Sequence, residues 1–292
     1  MSDSLIHLII NPTSGRGGRH KLLPDLLAGL RGKGFEVVEY TTTAAGDGKR
    51  RAQEVAGRAR AVLAFGGDGT ANEVANGLAG SDTPLLIVPA GTENLLAKEL
   101  KLPTTADGII SMLSRDRRVA SDIGLANGMS FHSILGVGFD AEVVQRVTQA
   151  RDGHISHLTY FTPILKTFLG HTFPVVHVSA DGESVFDGQA MVFVGNISRY
   201  ATGLRICKRA QSDDGLLDLV VYPCTGRWSL MRHAFRTLLR THTTKGGVIY
   251  RQASHITIHT DQPQRCELDG DIGPALPLTV TISPHKINLI LP

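Results

Sequence analysis

Three short stretches carry the residues that could do chemistry, and glycine and carboxylate dominate each of them. The first, Gly66-Gly67-Asp68-Gly69-Thr70-Ala71-Asn72, follows an apolar run from Ala61 to Phe65. Glycines remove Cβ atoms, so backbone N–H groups can close on an anion, and a helix beginning near Thr70 adds the positive end of its dipole. Asp68 stands where it could hold a metal or orient a nucleophile. Read alone, the same residues make a tight strand-to-helix turn that merely needs glycine. The second, Asp213-Asp214-Gly215-Leu216, gathers carboxylates at a turn before a strand, where oxygen atoms can surround a hard cation. A plain hairpin turn explains it equally well. The third is Asp269-Gly270-Asp271. A carboxylate within hydrogen-bond reach of a hydroxyl can take its proton as the oxygen attacks, although the bare motif also reads as a solvated β-turn.

The elements that must position these loops follow from the apolar pattern. A strand over Ser4–Ile10 empties into the turn-rich Asn11-Pro12-Thr13-Ser14-Gly15-Arg16-Gly17-Gly18. Leu22, Leu23, Leu26, Leu27 and Leu30 recur at helical spacing, and Phe35–Tyr40 reads as the next strand. Thr41, Thr42 and Thr43 close it. Helices over Gly48–Arg60, Thr70–Leu78 and Asn94–Leu100 then alternate with strands Ala61–Phe65 and Leu85–Val88. Such alternation predicts a parallel sheet whose ligands sit beyond the carboxyl ends of the strands, where the three glycine-bearing loops Asn11–Gly18, Gly66–Thr70 and Pro89–Asn94 lie. From about Asp122 the texture changes to short strand candidates: Ile123–Leu125, Phe131–Val137, Val175–Ala180, Ala190–Asn196, Leu217–Tyr222, His255–Thr260 and Leu278–Ile282. This predicts an α/β nucleotide-binding domain over residues 1–122 and a mainly antiparallel β domain over 123–292, with helices within His154–Leu169 and over Arg227–Arg240.

Composition narrows the function. With 292 residues, 42% hydrophobic and 20% charged, the chain is ordinary globular protein with enough length for two cores. A net charge of +3 is too small to argue for nucleic acid. No apolar run approaches the roughly 20 residues of a spanning helix, and the N-terminus lacks a basic leader, so the cytoplasm is the simplest compartment. Cys207, Cys224 and Cys266 are odd in number and widely spaced, which reads as reduced structural thiols. The 12 histidines, His154 and His157 among them, show no HExxH spacing and read as ordinary surface or core residues. In the helix over Arg227–Arg240, Trp228, Met231, Phe235, Leu238 and Leu239 share a face beside a row of Arg232, Arg236 and Arg240. That is an interfacial pattern, and equally the pattern of a helix packing its apolar face on a sheet.

No GxxxxGK[ST], HRD, DFG or GxGxxG element is present. Asn11-Pro12-Thr13-Ser14-Gly15, then Gly66-Gly67-Asp68-Gly69-Thr70, then Gly91-Thr92-Glu93-Asn94, in this order on a βα scaffold, resembles the catalytic domain of diacylglycerol kinase-like lipid kinases, a family that includes sphingosine kinases. Gly195-Asn196, Asp213–Asp218 and Leu268-Asp269-Gly270-Asp271 extend the resemblance through the second domain. The resemblance implies ATP binding by Gly66–Asn72 (Gly66, Gly67, Asp68, Gly69, Thr70, Ala71 and Asn72), by Thr41 and Thr92, and near Asn11. It implies Mg²⁺ held by the Asp214 carboxylate with the carbonyls of Gln211 and Leu216, while Asp68 and Asp122 look like carboxylates organising Mg²⁺ and water between the domains. It points to Asp271 as the base, with Asp269 its rival, because Asp271 stands where the family usually has Glu. Leu95 and Lys98 also depart from the family's acidic residue and arginine. The implied reaction is phosphorylation of diacylglycerol to phosphatidic acid at a membrane surface, in phospholipid synthesis. A sphingoid base, ceramide, NAD (NAD kinases share a GGDG loop) or a non-catalytic binding module are the alternatives, and a homodimer is left open.

Overall fold

Apolar runs alternating with helical spacing build the first compact unit, residues 1–122 with 284–292. The computed structural model describes residues 4–14, 22–149, 157–244 and 247–292, so Gly15–Gly18 of the first loop and His154 lie outside the described residues. In chain order this unit runs β1 (Leu5–Ile10), α1 (Leu22–Gly32), β2 (Glu36–Thr41), α2 (Asp47–Val55), β3 (Ala61–Gly66), α3 (Asp68–Leu78), β4 (Leu85–Pro89), α4 (Leu95–Glu99), α5 (Ala106–Arg115) and β5 (Arg117–Ser121). β2, β1, β3 and β4 are neighbours in parallel, with Ile10 opposite both Thr41 and Phe65, and Phe65 opposite Val88. That register brings four strand ends level, so the loops following them open on one edge. β3 and β4 are buried end to end, which is why they read as continuous apolar runs.

Two helices differ from the sequence expectation here. α2 stops at Val55 rather than Arg60, because the chain turns at Gly57 with φ 74° and the Gly57 N–H goes to the Thr83 hydroxyl. α5 occupies a stretch for which the pattern suggests no element; Thr105 caps it by accepting the Gly108 N–H, and Ile109, Ile110, Met112 and Leu113 are buried.

The second unit, residues 123–283, continues with β6 (Gly124–Ala126), β7 (Met129–Phe131), β8 (Ile134–Val137), α6 (Phe139–Gln149), α7 (His157–Gly170), β9 (Val175–Ala180), β10 (Glu183–Gly195), β11 (Arg199–Tyr200), β12 (Leu204–Arg205), β13 (Leu217–Pro223), α8 (Arg227–Leu238), β14 (Ile249–Ala253), β15 (His255–Thr260), β16 (Arg265–Leu268), β17 (Asp271–Ala275) and β18 (Leu278–Ile282). Its main sheet runs β17-β16-β8-β10-β9-β15-β18-β6-β7, with β13 on β10 and β14 on β13. The long β10 pairs β9 through its first half, then β13 and β8 through its second. Side chains alternate faces along a strand, and here both faces are buried. Ala190, Val192 and Val194 enter one core with Leu217, Leu219 and Val221, while Met191 and Phe193 enter another with Val220 and Tyr222. Cys207, Cys224 and Cys266 are buried free thiols.

The expected strand Phe131–Val137 is in fact two, β7 and β8. The N–H groups at the break, His132, Ser133 and Ile134, donate to the Asp269 carboxylate instead of to a neighbouring strand. α6 is a helix the pattern hides, since its buried Val143, Val144 and Val147 favour strand by composition. The last element, β19 (Ile287–Leu291), leaves the β-rich unit and lies in the first sheet, parallel to β4 and antiparallel to β5. Residues 284–292 thus belong with the first unit, not with the second domain expected to run to 292, because the apolar β4 would otherwise present an unpaired edge. Among the described residues no helix is long and apolar enough to cross a membrane.

Candidate functional site

The first three loops are stitched by their own polar groups. Asn11 ends β1 with its N–H on the Phe65 carbonyl at 3.0 Å, and its Nδ2 donates to Thr70 Oγ1 at 3.0 Å. Its Oδ1 accepts from the N–H and hydroxyl of Thr13. Ser14 Oγ accepts the Gly67 N–H at 3.3 Å. Gly66 offers its carbonyl to the N–H groups of Ala90 and Gly91. None of Gly66, Gly67 and Gly69 has positive φ; what two of these loops require is close approach. A Cβ on Gly66 would lie 2.3 Å from Thr70 Oγ1, and one on Gly91 would lie 2.4 Å from Gly67 Cα.

The first two of these loops, with the Thr42–Ala45 loop after β2, wall a cleft of about 360 Å³, faced by Asn11, Ser14, Thr42, Thr43, Gly69 and Thr70. It lies at the N-terminus of α3, whose N-cap Gly67 brings no side-chain cap, so first-turn N–H groups and the helix dipole are available to an anion. Of the residues implied to bind ATP, Asn11, Gly67, Gly69 and Thr70 line this cleft. Ala71 is buried and Asn72 is half-buried on α3. Thr41 and Thr92 are exposed and lie outside the lining, which the neighbours Thr42 and Thr43 supply instead.

Two positioning residues escape the sequence reading. Glu73, on α3, accepts the N–H groups of Gly46 and Gly48 and so fixes the start of α2. Asp47 accepts the N–H and hydroxyl of Thr43, the Arg50 guanidinium and the Ala44 N–H, which together hold its carboxyl well below the usual range and shape the cleft wall at Thr42–Ala45. The Glu73 contacts join residues 25 and 27 positions apart, so no local motif marks them, whereas the Asp47 contacts all lie within four residues.

Asp68 Oδ1 accepts the Leu95 N–H at 2.6 Å. Burial pushes its pKa up, against the pull of the N–H groups of Leu95, Leu96 and Asn94. Asp68 therefore caps α4, whose own Asn94 sits at φ 50° and brackets Gly91 with both ends of its amide. The carboxylate that the sequence offers to metal or nucleophile also holds the third loop against the second. Asp122 is buried and ion-paired with Lys286 at 2.8 Å, which ties the end of β5 to the approach to β19.

In the second unit the two carboxylates of the Asp-Gly-Asp turn separate clearly. Asp269, at φ 52°, accepts three backbone N–H groups at 2.7–2.9 Å, those of His132, Ser133 and Ile134. Its lone pairs are committed to holding the β7–β8 junction. Asp271 is exposed at the start of β17. Behind the turn, Glu267 is buried on β16 and accepts the Gly270 N–H at 2.9 Å. It meets Asp140 of α6, buried likewise and bonded by the Tyr200 hydroxyl. Gly136 makes the room, since a Cβ there would lie 2.4 Å from Asp140 Oδ2.

Burial raises both of these carboxyls, Asp140 to about 6, and the neighbouring Asp140 charge raises Glu267 further, so one proton is shared between them. A carboxyl whose pKa is raised by folding stabilises below its unfolded value and loses that contribution as pH climbs through the folded one. The fold should therefore weaken as pH rises through about 6 and beyond. Glu267→Gln keeps a donor for Asp140 and an acceptor for Gly270, so chemical denaturation of this variant should show a flatter pH profile than wild type; parallel profiles would remove the shared proton.

At the Asp214 turn, Oδ1 accepts the Leu216 N–H at 3.0 Å, with Gly215 at φ 75°. Gln211 and Asp214 are exposed and Leu216 is half-buried.

A family model described as the diacylglycerol kinase catalytic domain matches residues 6–126, and one described as the YegS C-terminal NAD kinase beta sandwich-like domain matches residues 133–291. The chain belongs to the diacylglycerol kinase family. Diacylglycerol kinases of Bacillus subtilis (strain 168) and Mycobacterium tuberculosis (strain CDC 1551 / Oshkosh) are each 30% identical to it, over 98% of this chain and 95% of the first, and over 97% of this chain and 94% of the second. A crystal structure from Bacillus anthracis str. Sterne superposes with a TM-score of 0.78 at 25% identity, covering 99% of this chain and 98% of that one. As a member of the diacylglycerol kinase family the protein is a lipid kinase, and ATP is its phosphate donor.

Proposed function

We propose that this lipid kinase transfers the γ-phosphate of ATP to the free hydroxyl of diacylglycerol at a membrane surface, with Mg²⁺. The phosphates of ATP sit in the cleft at the N-terminus of α3, where backbone donors and the helix dipole neutralise charge, since phosphoryl transfer is mostly positioning and electrostatics. Asp271 takes the acceptor's proton, as the carboxylate of its turn not committed to the three junction N–H groups. Asp214, with the carbonyls of Gln211 and Leu216, would hold Mg²⁺ and brace the turn before β13. The relatives named diacylglycerol kinase support that acceptor over a sphingoid base or ceramide.

The observation that carries a bilayer acceptor, rather than a soluble one such as NAD, is the outer face of α8. Leu230, His233 and Thr237 pack inward, while Trp228, Met231, Phe235 and Leu238, with Leu239 just beyond, lie on the solvent side; Trp228 is 83% exposed. The alternative of an apolar face packed on the sheet does not describe this helix. Arg227, Arg232 and Arg240 are exposed beside the stripe and Arg236 is half-buried. Each large apolar side chain gains about 1.5–3 kcal/mol on full burial. Each arginine adds about 1 kcal/mol near an anionic leaflet.

An acceptor panel with labelled ATP tests the reading: diacylglycerol, sphingoid base, ceramide and NAD, the lipids in vesicles containing an anionic phospholipid. Diacylglycerol should be the best acceptor, and transfer to NAD alone would overturn the proposal. The chain has one tryptophan, so vesicle binding should shift its emission to the blue. Phe235→Ser with Leu239→Ser should weaken vesicle affinity by about tenfold or more, on the expected loss of two buried apolar side chains.

A further inference from the structure

We propose that His177, His259 and Asp261 form a binding site for a borderline divalent transition ion of the zinc class, separate from the oxygen-only turn at Asp214. The site is built by strand register. His177 on β9 is directly opposite His259 on β15, and on its other side directly opposite Asp187 on β10. Residues opposite one another in antiparallel neighbours point to the same face, so three adjacent strands place Asp187, His177 and His259 in one transverse row. Asp261, two residues beyond His259, completes the group from the end of β15.

The distances make the group a ligand set. One donor atom each from His177, His259 and Asp261 lies within 4.8 Å of the other two, and the imidazole centroids are 5.7 Å apart. His177 Nε2 is 3.1 Å from Asp261 Oδ1. Zinc ligands stand about 2.0–2.2 Å from the metal, which sets tetrahedral donors roughly 3.4 Å apart. His259 and Asp261 are exposed, so side-chain rotation can close the difference.

Asp187 supplies a second, independent indication. Its Oδ2 is 2.9 Å from His177 Nδ1, the ring nitrogen away from Asp261. A carboxylate that accepts Nδ1–H fixes the tautomer with the lone pair on Nε2, which is the outer-shell arrangement of metal-bound histidines. Two carboxylates also match the charge of a divalent ion. Two imidazoles with one carboxylate suit zinc, cobalt or nickel and not Mg²⁺, and three protein ligands leave a fourth position for water. Histidines separated by the whole span from β9 to β15 leave no sequence spacing to read.

Tag-free protein titrated with Co²⁺ should show visible ligand-field bands that saturate at one equivalent and are displaced by Zn²⁺. His177→Ala and His259→Ala should abolish the bands, and Asp187→Asn, which touches no metal, should weaken Zn²⁺ binding by about tenfold or more. His255→Ala, on the same strand outside the row, should bind like wild type. Circular dichroism of each variant separates a lost site from a lost fold. The proposal is overturned if wild type shows no saturable equivalent, or if folded His177→Ala and His259→Ala bind as wild type does; in that outcome His177 is a histidine held between two carboxylates and nothing more.

Discussion

Asp271→Ala should cost about 10²–10⁴-fold in kcat for transfer from ATP to diacylglycerol, the usual contribution of a general base, while ATP affinity and thermal stability stay near wild type. The expectation rests on how differently the two carboxylates of one turn are employed. Asp271 is exposed on a strand start, so truncating it should disturb the fold less than truncating Asp269 does. Asp269 holds three backbone N–H groups, all on buried residues, His132, Ser133 and Ile134. Its removal leaves donors without partners at about 1–3 kcal/mol each where they are buried, so Asp269→Ala should show its main effect in denaturation, with activity falling as a consequence. Asp271→Glu, which restores the side chain usual at this position, should retain turnover. Measured kcat and unfolding free energy on all three variants decide the assignment: an Asp271→Ala enzyme with wild-type kcat would return the base to Asp269 or elsewhere.

Gly91→Ala should lower the rate of phosphoryl transfer by about two orders of magnitude, because a displacement of the order of 1 Å in a positioning loop is enough for that. The added Cβ would lie 2.4 Å from Gly67 Cα and 3.2 Å from Gly67 N, both backbone atoms that no rotamer can move, and 2.9 Å from Asn94 Oδ1. The second and third loops must then part, which strains the Asp68 cap on α4 at the same stroke. Gly32→Ala, at a position where a Cβ meets nothing within 4 Å, is the control. Steady-state kinetics at saturating ATP and acceptor reads the outcome; a wild-type rate in folded Gly91→Ala would mean that the contact between these loops is unrelated to catalysis.

The parts of this protein that its sequence makes legible are those whose signal is local. A glycine loop between an apolar strand and a helix announces itself within ten residues, and the Asn11, Gly66–Thr70 and Gly91–Asn94 loops indeed meet at one sheet edge. What could not be read depends on partners distant in the chain. The division of labour between Asp269 and Asp271 is set by N–H groups at 132–134. The buried Glu267–Asp140 pair joins β16 to α6, and the outward face of α8 becomes distinguishable from a core face only once Leu230, His233 and Thr237 are seen to pack inward. α6 was hidden for a different reason: its valines are strand formers by propensity, and burial overrides that preference.

The return of β19 to the first sheet also bears on how the molecule is made. β4 is buried throughout, yet its neighbour on one side, β19, is synthesised only after the whole of residues 123–283. Until all of residues 123–283 have been synthesised, on the order of ten seconds at common elongation rates of about 5–20 residues per second, the nascent first sheet carries an unpaired hydrophobic edge. The two units are therefore not sequential folding events. A fragment ending at Asp122 would keep that edge open indefinitely and should self-associate through it, whereas adding residues 284–292 as a separate peptide should compete with the association.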